Sequence, residues 1–165
     1  YFTDGFAYAG EALTGRFIGG RDRLMLVKSV RYVFMWSMAL GVLFVGIYAV
    51  SGVPLLRFMT SDAEVVDCCR QYLPWLMLMP PLGCAAFAWD GIYMGATASK
   101  GIRNSMIAAM VAFLGVWYGG SALLHPHDAG CLHLLMAAYF AHLLARTVLM
   151  SADYRKSVLG VFNVS

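Results

Sequence analysis

Residues 32–56 read "YVFMWSMALGVLFVGIYAVSGVPLL", 25 positions without an acid, a lysine, an arginine or a histidine. About 20 mostly apolar residues in a helix suffice to cross the hydrocarbon core of a bilayer. This run carries no charge and is long enough. The rest of the chain agrees. Of its 165 residues, 61% are hydrophobic and only 13% charged, against roughly 25% charged in soluble domains. The composition therefore predicts an all-α, polytopic bundle of membrane-spanning helices.

Working outward, residues 104–124 form a second uncharged run. Residues 72–89 form a third, and its helix can continue past Asp90 to Thr97. Residues 129–145 are apolar apart from His133 and His142 and extend to Ser151. Residues 2–20 contain Asp4, Glu11 and Arg16 and read as a span lining an interior. The expected spans are thus 2–20, 32–53, 72–97, 104–124 and 129–151, about five in all.

The connections support that count. "GRDRLMLVKSVR" holds Arg21, Arg23, Lys28 and Arg31 against Asp22, and the third connection holds Lys100 and Arg103. Arg155 and Lys156 follow the last span. The second connection balances Arg57 and Arg70 with Asp62, Glu64 and Asp67, and "HPHD" at 125–128 has no lysine or arginine. Basic and non-basic connections alternate, as the positive-inside rule requires of five spans. The first connection, the third and the C-terminus are then expected in the cytoplasm. The small net charge of +3 is loop asymmetry, with no nucleic-acid footprint. The opening "YFTDGFAYAG" already reads as helix, with no signal-peptide pattern, so we read the chain as part of a longer protein.

Local signals add detail. Thr60 or Ser61 is expected to cap the third span, with Glu64 completing a capping box. Pro74, Pro80 and Pro81 are expected to kink or break that span. Gly91 and Gly95, like Gly15 and Gly19, have the GxxxG spacing that lets helices approach closely. Cys68, Cys69, Cys84 and Cys131 show no metal spacing and read as small apolar residues. His125, His127 and Asp128 are a weak metal pattern, and we assign no metal. No catalytic fingerprint appears, so no enzyme and no cofactor are expected.

Asp90 is the informative charge. It lies ten residues before Lys100, and Glu11 lies ten before Arg21. At 1.5 Å per residue both fall roughly 15 Å inside the cytoplasmic edge, near mid-membrane. A charge there costs roughly 2.5–3.5 kcal/mol or more and usually faces a cavity that binds an ion or a proton. Asp90 and Glu11 are therefore the candidates for coupling to a cation or proton. The plainer alternative is an ion pair, of Glu11 with Arg16 or Arg146 among others. Trp89, Tyr93 and Tyr8 are candidates for lining an aromatic cavity that takes an organic cation. His142 and Arg146, four apart on the last span, are candidates for a relay or ion pair. Asp4, near the outer end, is expected to be solvated or capping.

Three stretches carry a resemblance: "DGFAYAGEALTGRFIGGRDR" at 4–23, "LLRFMTSDAEV" at 55–65 and "FAWDGIYMGATASKGIRNSM" at 87–106. Together they resemble the C-terminal half of multidrug and toxic compound extrusion (MATE) transporters, on the DinF-like branch. The resemblance implies a twelve-helix antiporter of two six-helix lobes that exchanges H⁺ or Na⁺ for organic cations or other amphipathic compounds. These five spans would then be part of the second lobe. The first lobe of the same protein and one preceding span would complete it, most simply in a bacterial inner membrane. Asp90 falls where some members place a cation-site aspartate. The tyrosine those members carry one turn earlier is Ala86 here. Two alternatives stay open: a lipid-linked precursor flippase of related fold, and a membrane scaffold that transports nothing.

Overall fold

A computed structural model describes residues 2–122 and 130–163. These fold into five long helices: α1 (Phe2–Gly19), α2 (Arg23–Met59), α3 (Ala63–Gly95), α4 (Ser99–Ser121) and α5 (Gly130–Ser157), followed by a 3-10 turn at Leu159–Asn163. The described residues contain no strand. Residues 125–128, the "HPHD" stretch, lie outside the described residues.

Direction alternates from helix to helix, and side-chain pairings set the register. Gly91 and Gly95 face the backbone of Ala7 and Glu11, so α1 and α3 run parallel. Trp75 contacts His133, Asp90 contacts Arg146 and Tyr93 contacts Met150. Those sequence offsets are nearly constant, so α3 and α5 are parallel too. Gly41 meets Pro81 while Gly52 meets Leu73, so α2 runs antiparallel to α3; Gly120 against Leu134 and Gly101 against Asp153 show the same for α4 and α5. α3 is the central helix, packed by α1, α2 and α5, while α4 leans mainly on α5.

This topology gathers the α1–α2 connection, the α3–α4 connection and the end of α5 at one end of the bundle. Arg21, Arg23, Lys28, Arg31, Lys100, Arg103, Arg155 and Lys156 all belong to this basic end. Its core is Leu26, Val30, Trp89, Ile92, Tyr93, Ala96, Met150 and Val158. The stretch expected as the first connection is instead the first turns of α2. Leu26 and Val30 are one turn apart and buried, while Lys28 between them is exposed. Hydropathy registers the charges and misses the stripe.

Two helix ends at this core close in the same way. Asp22 N–H donates to Phe17 O (3.0 Å) and Arg21 N–H to Ile18 O (3.1 Å); Ala98 N–H donates to Tyr93 O (3.0 Å) and Thr97 N–H to Met94 O (2.9 Å). These are Schellman closures, which place one residue in the left-handed region. Here that residue is Arg21 (φ 52°) and Thr97 (φ 53°), neither of them glycine. Asp22 then caps α2 by accepting from Met25 N–H at 2.9 Å.

At the opposite end α3 is capped by Asp62, which accepts from Glu64 N–H at 2.9 Å. This corrects the expected Thr60 or Ser61 cap; the Thr60 hydroxyl accepts from Asp62 N–H at 3.3 Å and supports the turn from behind. The three prolines of α3 do not break it, because it is helical from Ala63 to Gly95. Gly41 explains part of this: a Cβ there would lie 2.9 Å from Pro81 Cα, so α2 closes directly over the proline pair.

Among the described residues, α2 and the run Gly130–Phe162 are long and apolar enough to cross a membrane. α1 and α3 are diluted by Asp4, Glu11 and Arg16, and by three prolines and Asp90. The most apolar windows of the two qualifying helices are only 17% and 22% buried. Large residues such as Val50 (82% exposed) and Phe58 (89% exposed) stand outward. A surface this apolar needs lipid or another protein segment against it.

Candidate functional site

The α1–α3 contact builds the site. A Cβ on Gly91 would fall 2.0 Å from Ala7 O, and one on Gly95 would fall 2.3 Å from Glu11 O. Only glycine permits that approach. Gly15 joins the same crossing near Gly95, whereas Gly19 has open space around it. Beside this seam is a cavity of about 400 Å³, lined by Asp4, Tyr8 and Glu11 from α1, Phe87, Asp90 and Met94 from α3, Ile102 and Met106 from α4, and Arg146 from α5.

Asp90 and Arg146 are in contact across it. Arg146 Nη2 lies 2.7 Å from Asp90 Oδ1, with the side chains 17% exposed on Asp90 and 14% on Arg146. Arg146 Nε, buried beside this contact, has no hydrogen-bond partner among the described residues. Glu11 makes no ion pair with Arg16. Five positions on a helix turn about 140°, so Arg16 points outward and is exposed, its guanidinium 5.9 Å from the Phe17 ring centroid.

The register offsets the two acids. Gly95 is level with Glu11, and Asp90 is five residues earlier, a rise of roughly 7.5 Å. The expected common depth is therefore corrected. It was counted from the basic residue after each helix, and α1 continues past the point where α3 ends. Asp4, expected to be solvated or capping, lines the cavity.

The aromatic candidates divide. Tyr8 is on the cavity and 71% exposed. Trp89 and Tyr93 are not on it: they point to the opposite side of α3, into the core. Tyr93 is fully buried and donates its hydroxyl to Met150 O at 2.7 Å, and Trp89 packs on Phe34 and Tyr154. His142 is not on this cavity: it borders a groove with Met110, Phe113 and Tyr139, its ring 6.4 Å from that of Tyr139. Sequence reasoning missed the apolar wall of Phe87, Met94, Ile102 and Met106. Its signal was helical spacing, since residues 87, 90, 91 and 94 share one face. A second cavity, about 350 Å³ and almost wholly apolar, lies between α2, α3 and α5. Beside it Trp75 Nε1–H donates to His133 Nδ1 at 2.9 Å.

The cavity at the α1–α3 seam presents three carboxylates and one guanidinium, with apolar and aromatic walls. Such a lining concentrates cations with apolar bodies. Among the described residues that line it there is no nucleophile–base pair.

The sequence model of the MatE family matches residues 1–118. That stretch contains Tyr8, Glu11 and Asp90 and stops before α5, which carries Arg146. The chain is similar to DNA damage-inducible protein F of Escherichia coli (strain K12), 33% identical over 128 residues, with 74% of this chain and 28% of that protein covered. The chain thus spans about 28% of the length of the curated relative it matches. No solved structure matches it.

Proposed function

We propose, from the premise that the chain belongs to the MatE family, that it forms part of the second lobe of a cation-coupled antiporter. That antiporter exports organic cations or other amphipathic compounds in exchange for H⁺ or Na⁺. The observation that carries this reading is the cavity in which Asp90 and Glu11 face Arg146. A carboxylate held at membrane depth beside a cavity binds a proton or a cation far more readily than it remains unpaired. A first lobe and one preceding span of the same protein complete the pathway, because alternating access needs two bodies moving about a shared site. The basic end of the bundle faces the cytoplasm of a bacterial inner membrane, by the positive-inside rule.

A flippase for lipid-linked phosphates fits less well. It needs cations free to meet phosphate, and the one arginine on this cavity is in contact with Asp90. A scaffold without transport gives no reason to hold three carboxylates around a cavity.

The test is energised export of an organic-cation dye from membranes carrying the full-length gene product. Asp90→Asn and Glu11→Gln are expected to slow export while the protein still accumulates in the membrane. Collapse of export by a protonophore identifies H⁺ as the coupling ion, and dependence on external Na⁺ identifies the alternative. If both variants export at the wild-type rate, the site is misassigned.

A further inference from the structure

This inference rests on the antiporter reading and deepens it. We propose that Arg146 is a tethered cation occupying the cation position on Asp90, that the transported cation or a proton displaces it, and that Glu11 receives the displaced guanidinium.

The contact is close but incomplete. An arginine that locks two helices normally offers its planar fork to a carboxylate in two parallel hydrogen bonds. Here Nη2 meets Asp90 Oδ1 at 2.7 Å while Nε is buried without a hydrogen-bond partner among the described residues, so the side-on fork through Nε is not made. The guanidinium therefore keeps an unused donor while it contacts Asp90.

α3 and α5 do not depend on it. They are tied toward the end capped by Asp62 through Trp75 and His133, and toward the basic end through Tyr93 and the Met150 carbonyl. Asp90 and Arg146 sit between these two ties, so the pair can open while the helices stay in register.

A second acceptor is in place. Glu11 borders the same cavity, displaced toward the basic end by about one and a half turns. It is half-buried and has no ion pair among the described residues. The titratable groups facing Asp90 are Asp4, Tyr8 and Glu11 from α1 and Arg146 from α5; α4 contributes only Ile102 and Met106. Among the described residues no second basic side chain borders the cavity, so Arg146 is the cation an incoming one must replace. A proton on Asp90 removes the charge that holds Arg146 and has the same effect. The handover keeps the guanidinium paired in both states, which avoids the penalty of an uncompensated buried charge.

Binding of ethidium to the purified full-length protein, followed by fluorescence polarisation, tests this. Arg146→Met removes the internal competitor. It is expected to tighten ethidium binding by roughly tenfold, about 1.4 kcal/mol, although it removes an ion pair. Arg146→Lys keeps the charge and should bind close to wild type. Glu11→Gln should weaken binding several-fold in the wild-type background and have little effect in the Arg146→Met background, where no guanidinium needs a receiver. If Arg146→Met does not accumulate, Arg146→Gln carries the same expectation. Binding by the neutral variants no tighter than wild type overturns the proposal and leaves Arg146 a structural ion pair. Equal weakening by Glu11→Gln in both backgrounds overturns the handover to Glu11. An unchanged affinity in Asp90→Asn instead removes Asp90 from the cation site, and the antiporter assignment of this cavity fails with it.

Discussion

Replacing Gly91 by alanine tests the α1–α3 seam on which the site stands. The added Cβ would lie 2.0 Å from the Ala7 carbonyl oxygen and 2.6 Å from its carbonyl carbon, where real Cβ contacts stay beyond 3.0 Å. The obstacle is backbone and cannot rotate aside, so the helices must part by at least 1.0 Å (3.0 − 2.0). Overpacking of this kind costs about 1–3 kcal/mol, and a rigid backbone contact belongs at the upper end. Alanine in place of a helical glycine returns about 1 kcal/mol. A net loss of about 2 kcal/mol is expected. It should appear as a fall of several degrees in the melting temperature of the purified full-length protein. Gly83→Ala is the control, because nothing lies within 4 Å of its Cβ position; there only the propensity gain remains. Displacing α1 also moves Asp4, Tyr8 and Glu11 away from Asp90, so dye export should fall further in Gly91→Ala than stability alone explains. If Gly91→Ala and Gly83→Ala melt together and export alike, the backbone contact between α1 and α3 is not as described.

Three further outcomes follow from local geometry. Thr97→Gly relieves a β-branched residue held at φ 53° and should stabilise the protein by about 1 kcal/mol, read as a higher melting temperature. Asp62→Ala removes the cap that holds Glu64 N–H and should cost about 1 kcal/mol, with faster amide exchange confined to the first turn of α3. Tyr93→Phe loses the hydrogen bond to Met150 O and should cost about 1 kcal/mol while ethidium affinity stays unchanged, because Tyr93 lies in the core and off the cavity.

Much of the architecture was legible because membrane helices announce themselves by what they omit. Charge-free runs and alternating basic connections marked five helices. The stretches around Glu11, Asp62 and Asp90 carried the family resemblance. The prominence of Asp90 was equally legible, since a carboxylate inside such a run has few bland uses. The roles of its neighbours were not. Trp89, Tyr93 and Asp90 lie within one turn of α3, yet the first two enter the core and the third faces the cavity. α3 is apolar on nearly every side, so hydropathy carries no contrast that would tell lipid-facing, buried and cavity-lining positions apart.

The sequence by itself determined the helices, their order and the segregation of basic residues to one end. These follow from hydrophobicity and charge counted along the chain, which are local quantities. Only the tertiary structure decided that Arg146 meets Asp90 and that Glu11 stands about a turn and a half away on a helix running parallel to α3. Those relations depend on the Gly91–Ala7 and Gly95–Glu11 contacts and on the register between α3 and α5. Register between separate helices is set by the shapes that interlock when they pack, and no one-dimensional pattern contains it.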